Sequence, residues 1–267
     1  MDKTKIYYNK KVKLTDAVMI VGLPGIGNVG SLVGRYLKTE FNAEKFGTLY
    51  SPHFPHQVIM TKKGGMRLVS NRFYRFKNKA HGKGGKGGKN HNGDIVLLVG
   101  DTQAASPEGQ YEVNEKIIQF FKHIGGKTVY TIGGYNINNQ YVHTPRVFGV
   151  ASNKTLRATL SKSGIIFGKA SGMIWGSAGL LPAFAKKHNL NSACIMGETG
   201  LLEMDANSAK SVLEVLSKVL GMKINLENID KIKQETEKML KNLEDLAKHG
   251  EGGTDNKPSS EGMTYIR

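Results

Sequence analysis

The sequence predicts an α/β fold. Short, almost uninterrupted apolar runs at 17–22 (AVMIVG), 94–100 (DIVLLVG) and 192–197 (SACIMG) have the length and composition of strands buried on both faces. Stretches with apolar residues at helical spacing alternate with them, and glycines punctuate the junctions. With 267 residues, 39% of them hydrophobic, the chain is long enough for one large domain or two small ones around a real core.

The first strand runs into GLPGIGNVG, residues 22–30, a glycine-rich turn. NVGSLVGRYLKTE follows, with Val29, Leu32, Val33 and Leu37 on one helix face, and KFGTLYS reads as a second strand closing a βαβ unit. From Gln57 to Lys77 the pattern is extended and reads as two strands joined at Lys62 to Gly65, where Gly-Gly favours a hairpin. Residues 78–93, NKAHGKGGKGGKNHNG, hold almost no apolar surface to bury; a flexible loop within the domain is expected, because the strand at 94–100 resumes at once.

EGQYEVNEKIIQFFKHIGG predicts a helix closed by Gly125, with Tyr111, Val113, Ile117, Ile118, Phe120 and Phe121 as core positions. KTVYTIGGY is a strand, and RVFGVAS and GIIFGK are short strands around a small helix at NKTLRATLSK. SAGLLPAFAKKHNL is a helix that Pro182 must open or kink. The clearest helix is DANSAKSVLEVLSKVLG: Asp205 is its N-cap, Ala209, Val212, Leu213, Leu216, Val219 and Leu220 form its stripe, and Gly221 stops it. At 226–248, Ile229, Ile232, Thr236, Met239, Leu243 and Leu246 alternate three and four apart, which predicts a helix docking on its own domain or on a second subunit. The domain plan is therefore an α/β body at 1–225, this helix, and a disordered polar tail at 249–267.

Composition narrows the function classes. No apolar run approaches the roughly 20 residues of a membrane span, and the start MDKTKIYYNKK has no signal-peptide character, so a cytoplasmic protein is expected. The one cysteine, Cys194, sits in a buried-strand pattern, which favours a structural role over a nucleophile. The net charge of +16 is concentrated: between Lys45 and Gly93 there are eleven Lys or Arg and no acid. That leaves nucleic-acid binding through residues 62–89 as an alternative, although NRFYRFKNK does not fit the signature of an RNA-recognition strand.

Gly25-x-Gly27-x-x-Gly30 follows a strand and opens a helix, as a dinucleotide cradle does. Its companion acid after the second strand is missing, since no acid follows TLYS before Asp94, so a close-packed turn is expected and a ligand site is the weaker reading. His53 and His56 have H-x-x-H spacing but no evident third ligand. Asp101 and Glu198 each follow a buried strand at its carboxyl end, where open sheets place ligand crevices and where acids also cap turns. No catalytic residue, metal or cofactor is expected.

Several of these segments together resemble the PAC2 family of proteasome assembly chaperones, in particular its archaeal members. The residues that carry the resemblance run from GLPGIGNVG through GDTQAASPEGQYEV, TVYTIGGY and PRVFGVAS to GMIWGSAGLL and MGETGLLEMDANSAKSVLEVLSKVLGMKI, within residues 15–245. The resemblance implies a three-layer α/β/α sandwich with a mostly parallel central sheet, like that of nucleoside phosphorylases, without a demonstrated catalytic site. It also implies self-association into a homo-oligomer, with room for a hetero-partner, and binding to proteasome core-particle subunits at the α ring. Some members dock through a terminal hydrophobic-Tyr-any-residue motif; here Thr264, Tyr265, Ile266 and Arg267 would be the partner-binding tail, shifted by one residue. The enzyme alternative implied by the resemblance is an ATP-grasp-like carboxylate-amine ligase or other nucleotide-binding activity.

Overall fold

In a computed structural model, which describes residues 3–77, 93–137, 142–169, 172–200 and 204–230, the buried apolar runs assemble at the centre of one large sheet. In chain order the elements are β1 (Lys5–Tyr8), β2 (Ala17–Gly22), α1 (Val29–Glu40), β3 (Glu44–Tyr50), β4 (Val58–Met60), β5 (Met66–Leu68), β6 (Asn71–Lys77) and β7 (Asp94–Gly100). There follow α2 (Pro107–His123), β8 (Gly126–Asn136), β9 (Val147–Ala151), α3 (Lys154–Ser161), α4 (Ser177–Lys187), β10 (Asn191–Thr199) and α5 (Ala206–Leu220).

Eight strands pair in the order β1-β3-β6-β7-β2-β8-β10-β9. The central pairs β7-β2, β2-β8 and β8-β10 are parallel, and the pairs toward both edges are antiparallel. Successive side chains of a strand point to opposite faces, and the core divides accordingly. Val18, Ile20, Ile95 and Leu97 join Val29, Val33, Leu160, Leu213 and Leu216 of α1, α3 and α5 on one face. Met19, Val96, Leu98 and Val129 join Ile117, Ile118, Phe121, Leu181 and Ala185 of α2 and α4 on the other. This is the three-layer α/β/α arrangement, and strands covered on both sides are why the sequence runs are continuous rather than alternating.

Pro182 does not open α4 but stands inside it. Having no N–H, it leaves the carbonyl of Ala178, four residues back, without a helix donor. Thr131 of β8 donates its hydroxyl to that carbonyl at 2.7 Å, and Ser192 of β10 donates to the carbonyl of Pro182 itself at 2.8 Å. Two hydroxyls from the sheet thus hold the helix where its own ladder is broken.

Other expectations need correction. The strand at 44–50 runs in the direction of β2 but does not pair with it, because β6 and β7 lie between them. Residues 57–77 form three strands rather than two: β4 and β5 make a separate hairpin, and β6 enters the main sheet. The break has a cause at Ser70, whose backbone N–H and carbonyl both bond Asp101, the N–H at 3.1 Å to the carboxylate and the carbonyl to the Asp101 N–H at 3.1 Å. GIIFGK contributes only a bridge between Ile166 and Phe148. Tyr111 is 60% exposed rather than core, packing edge-on against Phe184 with ring centroids 5.8 Å apart. The N-terminal start hides an edge strand, β1, short and flanked by lysines.

Asp205 caps α5 by accepting from the Ser208 N–H at 2.9 Å, and Gly221 ends it in the left-handed region, both as the sequence predicts. The chain then docks back on the body. Met222, Ile224 and Ile229 are buried in the α1/α5 cluster, and Lys210 bonds Asp230 at 2.6 Å. The remainder of the helix expected at 226–248, the tail at 249–267 and the Lys/Gly loop at 78–92 lie outside the described residues.

Candidate functional site

Strand β2 has β7 on one side and β8 on the other, so the chain changes direction across the sheet at this point. Open α/β sheets form their crevices at such a switch, outside the carboxyl ends of the strands. A cleft of about 470 Å³ opens here, between the turn after β2, the end of β8 and the segment leading into α4. Its apolar lining includes Leu23, Ile26, Val150, Met173, Trp175 and Met196, and none of the described residues lining it carries a charge. The rim is uncovered: Met173 is 81% exposed, Trp175 79%, Ile26 52% and Val150 44%.

Polar groups beneath the rim are used to hold the walls together. Gln103 donates Nε2 to the carbonyl of Pro24 at 2.6 Å and accepts the Ser177 N–H on Oε1 at 2.8 Å. It therefore ties the turn after β2 to the start of α4. Gln110 extends the tie to α2, donating to the carbonyl of Ala104 at 2.7 Å.

The three glycines of the turn play different parts. Gly27 has φ of 60°, and a Cβ there would lie 2.4 Å from Thr199 Oγ1. A Cβ on Gly30 would meet the carbonyl oxygens of Ile132 at 2.6 Å and Leu23 at 2.8 Å. Gly25 alone faces open space, its nearest neighbour being Gln103 Nε2 at 3.9 Å. Two of the three are thus required by packing of the turn and α1 against β8 and β10; Gly25 and Gly30 both border the cleft, and only Gly25 has room for a side chain.

Neither crevice acid lines the cleft. Asp101 accepts from Arg67 Nη2 at 3.0 Å and Arg72 Nη2 at 2.5 Å, besides the Ser70 N–H. Burial alone would raise its pKa, but the two guanidiniums and the amide hold the carboxyl at about 2. Glu198 is 3% exposed and accepts from the Arg146 backbone N–H at 2.8 Å and its Nε at 2.9 Å. Burial pushes its pKa up, the Arg146 bonds pull it down, and the net direction is down. Both acids are charged, saturated anchors for neighbouring segments. Replacing Glu198 with glutamine, which keeps the shape but not the charge, should cost about 1–2 kcal/mol in a urea titration, because the exposed Arg146 can turn to water; an unchanged midpoint would contradict the anchoring role.

His53 pairs with Glu112, Nε2 to Oε2 at 3.0 Å, and among the described residues no group of three or more His, Cys, Asp and Glu gathers as a metal site requires. His56 is exposed. Cys194 is fully buried, and burial pushes its thiol up to about 11, far from a thiolate at neutral pH. The basic strand β6 is largely neutralised: Arg72 sits on Asp101, Arg75 on Glu44 at 3.0 Å and Lys77 near Asp94 at 3.4 Å. Residues 78–89 of the basic segment and the tail residues Thr264, Tyr265, Ile266 and Arg267 lie outside the described residues. No helix among the described residues is long and apolar enough to cross a membrane.

Sequence reasoning singled out the glycines and the acids but missed the residues that make the cleft: Ile26, Gln103, Met173 and Trp175. One signal was available, since the chain has a single tryptophan and it stands in GMIWGS, between elements, where no helix or strand pattern would bury it.

Comparison with known proteins agrees with this architecture. A family model described as PAC2 family matches residues 19–247. A Methanocaldococcus jannaschii protein described as uncharacterized is 34% identical over 265 residues, 96% of each chain. Among solved structures, Pyrococcus furiosus PbaB, described as an archaeal proteasome activator, aligns with a TM-score of 0.80 at 31% identity over 91% of this chain and 100% of that one. Pyrococcus furiosus PbaA, described as an archaeal homolog of proteasome-assembly chaperone, aligns with a TM-score of 0.73 over 93% and 94% of the chains; at 24% identity it speaks to the fold.

Proposed function

This chain belongs to the PAC2 family, and from that premise we propose that it is a noncatalytic, cytoplasmic adaptor of the proteasome, an assembly chaperone or activator that works as a homo-oligomer. The observation that carries the reading is the full-length likeness to PbaB, at 31% identity and a TM-score of 0.80.

The site is consistent with binding rather than chemistry. The cleft offers an apolar rim headed by Trp175 and Met173, the residue types that anchor protein contacts. The two strand-end acids, Asp101 and Glu198, are already bonded to arginines. In this reading the α/β body carries the self-association surface, the helix expected at 226–248 packs on it or extends it, and the tail reaches the partner. The tail, with Tyr265, offers a carboxylate-and-aromatic mode of capture in a preformed pocket, strengthened when an oligomer presents several copies.

Co-purification with archaeal-type proteasome α subunits at near-physiological salt tests the proposal, using the full chain and a version ending at Met263. The full chain should retain the α subunits, and the shortened one should retain less. Absence of any association by the full chain overturns the proposal; equal association of both removes only the tail. A thermal-shift series with nucleotides and magnesium checks the absence of a nucleotide site, with no stabilisation expected.

A further inference from the structure

Besides the cleft rim, a second apolar surface is left uncovered by the described residues. In the β4–β5 hairpin, Val58 stands opposite Leu68, Ile59 opposite Arg67 and Met60 opposite Met66. Since alternate residues face opposite ways, Val58, Met60, Met66 and Leu68 share one face and Ile59 and Arg67 the other. The second face is used by the chain itself, with Ile59 packed on the α2/α4 core and Arg67 bonded to Asp101. The first stands in solvent: Met60 is 81% exposed, Met66 79%, Leu68 56% and Val58 53%.

We propose that this face seats in the apolar cleft of a second copy of the chain, making a head-to-tail contact. The proposal rests on the self-association in the reading above and not on the proteasome as partner.

Three observations support this occupant. The surfaces match in kind: no described residue lining the cleft is charged, and of the hairpin's charges Arg67 belongs to the opposite face while Lys62 and Lys63 lie in the turn between the two strands. They match in extent as well. Four large apolar side chains stand exposed on each surface, Val58, Met60, Met66 and Leu68 on the hairpin and Ile26, Val150, Met173 and Trp175 on the cleft rim, so one contact takes both patches out of water. Finally, they stand apart on the same rim of the sheet. The hairpin joins the end of β3 to the start of β6, while the cleft lies over the ends of β2 and β8, with β7 between. A contact between two different patches leaves one of each free, so it propagates until a ring closes. Pairing hairpin with hairpin would leave Trp175 and Met173 in water; seating the hairpin in the cleft covers both surfaces at once. Methionines suit the role, because an unbranched thioether adapts to an irregular cavity.

The test uses two full-length variants, Met60→Asp with Met66→Asp for the hairpin, and Met173→Asp with Trp175→Asp for the cleft. All four positions are about four-fifths exposed, so each variant should fold, which circular dichroism checks. Sedimentation velocity of the chain alone should give an oligomer for the natural sequence and a monomer for each variant. An equimolar mixture of the two should give a one-to-one dimer that grows no further, because each supplies the patch that the other lacks. A monomeric natural chain, variants that still assemble, or a mixture that stays monomeric each overturns the proposal. No α subunit enters the assay, so a monomer that still binds α subunits rejects this contact and leaves the proteasome reading standing.

Discussion

Replacing Gly30 with alanine should cost the fold about 3 kcal/mol or more, although the same change in an exposed helix interior gains about 1 kcal/mol from helix propensity. The sign reverses because the added carbon would lie 2.6 Å from the Ile132 carbonyl oxygen and 2.8 Å from that of Leu23. Both are backbone atoms, so β8 and the turn after β2 must move apart. The control is Gly25→Ala, whose backbone is extended at φ of −174° and whose nearest neighbour is 3.9 Å away; it should fall within about 0.5 kcal/mol of the natural chain. Urea denaturation of the pair decides the matter. Equal stability of the two variants would mean that the turn is not packed as described.

Asp101→Asn should cost about 3 kcal/mol at neutral pH, because it leaves Arg67 and Arg72 facing a neutral group in a partly buried site. The pH dependence follows from the direction of the shift. The folded carboxyl is depressed from 3.8 to about 2, so its pairing stabilises the fold fully above the unfolded value and is lost as pH falls through the folded one. That shift corresponds to about 2 kcal/mol, so the gap between natural and variant chains should narrow from about pH 4 to about pH 2. A gap that stays constant across this range would contradict the ion-pair origin. Loosening of the β4–β5 hairpin should accompany the loss, seen as faster amide exchange at residues 58–68, because Arg67 is its anchor to the body.

How legible each part was in the sequence follows from where its partners lie. Strands β2, β7 and β10 were readable because both faces are buried, which makes the signal a local run of apolar residues. Helix α5 was readable end to end, since its cap, stripe and stop are all short-range features. The βαβ expectation failed on adjacency: nothing local tells β3 that β6 and β7 will take the places beside β2. The hairpin boundary was hidden because Ser70 leaves the extended run to bond Asp101, a residue 31 positions away. Tyr111 was misplaced because an aromatic ring can half-cover a neighbouring helix and still face solvent.

The cleft was the least legible feature. Its rim gathers Ile26, Val150, Met173 and Trp175 from three separate stretches, and no spacing rule connects them. The glycine turn, by contrast, was read as close packing because the fingerprint's acid is missing; a Cβ at Gly27 or Gly30 would meet Thr199 or the Ile132 carbonyl, whereas Gly25 faces open space. The two acids were visible as strand-end carboxylates, but their arginine partners come from β5, β6 and the segment before β9, which the sequence does not juxtapose.

The most direct measurement is sedimentation velocity of the purified full-length chain mixed with assembled archaeal-type α-subunit rings at near-physiological salt. A proteasome adaptor should shift into a faster boundary that contains both proteins, with the shift saturating at a fixed ratio of oligomer to ring. Two boundaries at the positions of the separate proteins, unchanged across all mixing ratios, would contradict it.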